Sequence, residues 1–88
     1  MKVKEGYVLR EVAGNSIVVA IGDGAVDFNG LITINEVGTF LWKLLINGTT
    51  RQGLLRAVLE EYDIDEQTAQ KDIDEFIEKL RQAGLMDE

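Results

Sequence analysis

The spacing of apolar residues changes partway along the chain. Through residue 34 the apolar positions are short runs rich in β-branched residues, broken by glycine and asparagine, whereas beyond it they recur every three or four residues. The first half therefore predicts strands. Residues 7–12 form one candidate, Ala13, Gly14 and Asn15 a turn suited to positive φ, and residues 16–21 a second strand, so the two read as a hairpin. Residues 22–25 form a loop, and Val26, Asp27 and Phe28 an extended stretch before the turn signal Asn29–Gly30. Leu31, Ile32, Thr33 and Ile34 make the third strand. The short connections predict an antiparallel meander.

The second half predicts three helices. Asn35 stands where an N-cap belongs, ahead of a helix over residues 36–46 whose apolar set is Val37, Phe40, Leu41, Leu44 and Leu45, with Trp42 at one flank. Asn47 and Gly48 end it. Thr50 caps a second helix running to about residue 62, with Leu54, Leu55, Val58, Leu59 and Tyr62 inward and Gly53 lowering its helical propensity by roughly 1 kcal/mol relative to alanine. Asp65 caps the third, where Ala69, Ile73, Phe76, Ile77 and Leu80 fall on one stripe, Gly84 takes the C′ position, and Leu85 and Met86 fold back onto the core. Three helices cover one face of a three-stranded sheet. The fold class is α+β in two layers, a single domain over residues 1–88.

Composition narrows the function. With 88 residues, 45% of them hydrophobic, the chain fits one modest core. Nearly all of its net charge of −7 falls on residues 50–88, which hold eleven acidic and five basic side chains. That surface repels phosphate backbones and anionic membranes, so neither nucleic acid nor a membrane is an expected partner, and a neutral or basic one is favoured. No apolar run reaches the ~20 residues of a membrane span and no signal-peptide core opens the chain, so a cytoplasmic location is expected. The sequon Asn47-Gly48-Thr49 is then a coincidence of sequence.

Histidine and cysteine are both absent, which removes the general base suited to neutral pH, the soft metal ligands and the usual nucleophile pairs. Glu60/Glu61 and Asp74/Glu75 are sequence neighbours that point apart on a helix. Asp63-Ile64-Asp65 begins like a calcium loop but lacks glycine at its sixth position and glutamate at its twelfth. Gly22-Asp23-Gly24 lacks the third glycine, the following helix and the lysine of a phosphate loop. No catalytic residue, metal site or cofactor is expected, and the chain reads as a non-enzyme.

The third strand carries the most information. In a three-strand meander strands one and three are edges, and an edge offers unpaired N–H and C=O groups to another strand. Leu31, Ile32, Thr33 and Ile34 contain neither proline nor lysine to block such pairing. Ile32 and Ile34 share one face, assigned to the core, and Leu31 and Thr33 the other. Beyond its core stripe, the third helix carries Asp72, Phe76, Lys79 and Ala83 on one flank and Gln70, Asp74, Ile77 and Arg81 on the opposite one. Strand and helix thus predict a groove for β-augmentation, in which a guest peptide pairs its backbone with the strand and sets alternate side chains against the helix.

The run from Asn29 through Leu45 (NGLITINEVGTFLWKLL), followed by Asn47-Gly48-Thr49, resembles the core signature of PqqD-like proteins, and the run from Asp72 through Leu85 (DIDEFIEKLRQAGL) is similar to that family's last helix. The resemblance covers nearly the whole chain. It implies a winged-helix-like fold, a three-stranded antiparallel sheet followed by three helices. It implies a recognition element for ribosomally made, post-translationally modified peptides, binding the precursor's leader as an added strand and presenting it to a modifying enzyme, a radical SAM enzyme or a leader peptidase. Carried onto this chain, the leader site is Leu31, Ile32, Thr33 and Ile34 with Asp72, Phe76, Lys79 and Ala83. The founding member serves pyrroloquinoline quinone synthesis. Here the loop over residues 22–28 is longer and richer in glycine than expected of that type, which favours a relative serving another peptide product. Two other readings remain for the same fold: a homodimer paired through the edge strand or the N-terminal hairpin, and a winged-helix nucleic-acid binder, against which Asp72, Asp74, Glu75 and Glu78 stand.

Overall fold

The computed structural model describes residues 1–20 and 32–87. Among the described residues, five strands and three helices follow in the order β1 (Lys2–Val3), β2 (Tyr7–Val12), β3 (Asn15–Ala20), β4 (Ile32–Ile34), α1 (Glu36–Ile46), α2 (Arg51–Glu61), α3 (Glu66–Gln82) and β5 (Met86–Asp87). The main sheet is antiparallel in the order β2-β3-β4, the predicted meander. Ala13 and Gly14, both at positive φ (52° and 83°), make the two-residue turn that matches strand twist in a hairpin. Asn15 is already in β3, opposite Val12, one residue earlier than the spacing predicts. The predicted loop at 22–25, the extended stretch at 26–28, the turn at 29–30 and Leu31 lie outside the described residues.

Register fixes the two faces. Val18 sits opposite Leu9 on one side and Ile32 on the other, which places one apolar row across the sheet toward the helices. Val18 and Ile34 are buried, while Leu9 and Ile32 pack half-buried against the core. Arg10, Ile17 and Thr33 form the adjacent row on the outer face. The isoleucine phase predicted for β4 is the one observed.

The helices close over that row, and all three predicted caps are present. Side-chain oxygens of Asn35, Thr50 and Asp65 accept from the amides of Gly38, Gly53 and Thr68 at 2.8, 2.9 and 2.9 Å. The α3 stripe is buried as predicted, from Ala69 to Leu80. In α1 the inward face is rotated from the predicted one: Gly38, Leu41, Trp42 and Leu45 are buried, and Val37, Phe40 and Leu44 flank them. Trp42 is therefore central to the core, and Gly38 lets α1 approach Phe76 and Ile34 closely. Leu41, Leu45, Leu54, Leu80 and Leu85 are fully enclosed, each contributing about 1.5–3 kcal/mol through burial.

The small sheet formed by β1 and β5 was not legible from sequence. Lys2 pairs with Asp87 and Val3 with Met86, and the Lys4 amide continues the ladder to the Leu85 carbonyl at 2.8 Å. Val3, Leu85 and Met86 are thereby buried at one end of the core. Among the described residues no helix is long and apolar enough to cross a membrane.

Candidate functional site

β4 is the outer strand of the main sheet, and among the described residues no strand pairs with its far side. Backbone polar groups alternate sides along a strand. Thr33, at the middle of the three residues, offers its carbonyl to α3: the Lys79 ammonium donates to it at 2.7 Å. Among the described residues, the central acceptor of this edge is thus met by an exposed cation from another element rather than by a strand.

Between this edge and α3 lies a cleft of about 190 Å³. Its floor is apolar, from Ile34, Val37, Leu41 and Phe76. Asp72, Glu75 and Lys79 line its α3 side. At a helical pitch of 3.6 residues, Asp72, Glu75, Phe76 and Lys79 form one stripe bordering the cleft. Gly38 sets the width. A Cβ there would stand 3.0 Å from Cε1 of Phe76 and 3.2 Å from Cβ of Ile34. The cleft thus pairs an open strand edge with an apolar floor and a net acidic wall, an arrangement suited to an extended peptide with apolar side chains and no excess of negative charge.

Of the residues singled out from sequence, Ile34, Asp72, Phe76 and Lys79 line this cleft. Thr33 is exposed and joined to it through Lys79. Ile32 is turned against the core. Ala83 is the C-cap of α3, half-buried against the core and outside the cleft lining. Leu31 lies outside the described residues. Glu75 completes the stripe of Asp72, Phe76 and Lys79 and was readable from helical spacing. Asn35, Val37, Gly38 and Leu41 were not, because their presence depends on how the first turns of α1 lie against α3. The opposite flank of α3 is occupied by an exposed pair between Arg51 and Asp74 at 2.7 Å, which ties α2 to α3.

A second group stands apart from the cleft. The Trp42 side chain is fully enclosed, and among the described residues its Nε1–H has no acceptor.

Residues 15–86 match the family described as coenzyme PQQ synthesis protein D (PqqD). No curated protein matches the chain. Two solved structures share its fold. One, TbiB1 in complex with the TbiA(beta) leader peptide, superposes with a TM-score of 0.74 at 22% identity, covering 97% of this chain and 93% of that one. The other, a lasso peptide synthetase B1 complexed with the leader peptide, gives a TM-score of 0.71 at 13% identity, with coverage of 96% and 93%.

Proposed function

The chain belongs to the PqqD family, and on that premise we propose that it is a non-catalytic peptide-recognition domain, which binds the leader of a ribosomally made precursor as a fourth strand along β4 and presents it to a modifying enzyme. The observation that carries this reading is the β4 edge at Thr33, which pairs with no further strand among the described residues and stands beside a cleft floored by Phe76 and walled by Asp72, Glu75 and Lys79. Main-chain pairing with the edge supplies affinity without regard to sequence, and the cleft selects an apolar side chain of the leader. The two similar structures described above are complexes with leader peptides, in keeping with the same use of the fold here. The enzyme is a radical SAM maturase or a leader peptidase.

The test is an amide-resonance titration of the labelled protein with synthetic leader peptides of candidate precursors. Saturable shifts at Ile32, Thr33 and the α3 stripe are expected. Shifts confined to another surface overturn the proposal. The same edge would also serve a symmetric dimer, so light scattering belongs beside the titration: a tight dimer unaltered by peptide assigns the edge to self-pairing.

A further inference from the structure

Helix α1 divides two clefts of different character. Val37, Gly38 and Leu41 face the one beside β4, whereas Trp42, Lys43 and Ile46, on the other flank of the helix, face a cavity of about 540 Å³ against the N-terminal strands. Its apolar lining includes Leu9, half-buried, and Ile46, which at 45% exposure is one of two large hydrophobic side chains left open to solvent among the described residues. Lys2, Lys4 and Lys43 stand around it with Glu5 as the carboxylate among the described lining residues. Three of the chain's nine basic side chains thus gather at one cleft of a protein whose net charge is −7. Trp42, whose buried indole donor has no acceptor among the described residues, lines the same cleft.

We infer that this cleft docks a partner protein through a segment combining an apolar side chain with carboxylates. The apolar side chain packs between Leu9 and Ile46, and the carboxylates meet the three lysines. The placement leaves the β4 cleft free, so one domain holds two polypeptides on opposite flanks of α1. That the partner is the modifying enzyme rests on the proposed function; the chemistry of the cleft does not.

The chain has one tryptophan, so a single indole ¹H–¹⁵N resonance reports on the cleft. The probe is the capped hexapeptide Glu-Glu-Phe-Leu-Glu-Glu, with Lys-Lys-Phe-Leu-Lys-Lys and phosphatidylglycerol vesicles as the contrasting arms. The acidic peptide is expected to shift the indole resonance saturably, and Lys43→Glu or Ile46→Ser, both at exposed positions, to weaken that binding by about tenfold, as raised salt also would. An unmoved indole, an equal response to both peptides, or a response to the vesicles alone overturns the inference, the last in favour of a membrane contact. Thr33, followed in a parallel leader titration, separates the two readings. A silent Thr33 with a responsive Trp42 overturns leader binding and retains this cleft, and the reverse result does the opposite.

Discussion

The Lys79 ammonium stands 2.7 Å from the Thr33 carbonyl, joining the last turn of α3 to the middle of the outer strand β4. Lysine is a common guard of sheet edges, and here it comes from a residue 46 positions away rather than from the strand itself. Both groups are exposed, so the bond contributes about 0.5–1 kcal/mol. A guest strand that takes the Thr33 acceptor displaces the ammonium, which Asp72 and Glu75 can then receive on the same stripe. Lys79→Met removes the competitor and is expected to tighten leader binding by about two- to fivefold, measured by calorimetry. It is also expected to increase self-association in sedimentation. A weaker complex would instead assign Lys79 a direct contact with the bound peptide.

Gly38 makes room for Phe76, and a Cβ at 3.0 Å from that ring is already tight. Gly38→Val is expected to lower stability by about 2 kcal/mol, the range for overpacking, as read from the urea midpoint. It also narrows the cleft, so leader affinity falls at temperatures where the variant remains folded.

Gly53 weakens α2 intrinsically, yet an alanine Cβ there would stand 2.6 Å from Oγ1 of Thr49 and 3.2 Å from Oγ1 of the capping Thr50. Gly53→Ala alone is therefore expected to give no gain in thermal stability. Combined with Thr49→Ala it should recover up to about 1 kcal/mol of helix propensity. A double-variant cycle on melting temperature measures this coupling, and additive effects would mean that Thr49 moves aside freely.

Asp65 is held below the ordinary carboxylate range by the Thr68 hydroxyl and then by the Thr68 amide. Because the folded value is lowered, its contribution is complete above the unfolded value near ~3.9 and is lost as pH falls through the folded one. Asp65→Asn keeps an oxygen for the cap but cannot titrate. The wild type is expected to be more stable at neutral pH, and the difference between the two melting temperatures to shrink as pH drops below about 4. A gap that stays constant with pH would show that the charge on Asp65 is not what stabilises the helix.

The three helices were legible because each carries its own punctuation. Asn35, Thr50 and Asp65 cap their first turns, Gly84 follows the last helix, and the α3 stripe has an unbroken helical period. The edge position of β4 and the inward phase of Ile32 and Ile34 were legible from alternation and short connections. What escaped depends on close approach between distant segments. Trp42 reads as a flank residue from spacing, yet in the fold it is fully buried. The Lys79–Thr33 bond and the Asn35–Gly38 side of the cleft arise from how α1 and α3 lean together, and no local spacing encodes that angle. The pairing of β1 with β5 involves two residues on each side, too few to show a period.

That pairing has a practical consequence. Lys2 and Asp87 face one another across a two-stranded ladder, so their Cα atoms lie about 5 Å apart. A unit whose entry and exit points are this close can be spliced into a surface loop of a larger protein without stretching the host backbone, or circularly permuted by bridging the two points with a short linker and reopening the chain at Ala13–Gly14. The same core can in this way be carried as a free-standing chain or as a cassette within another polypeptide.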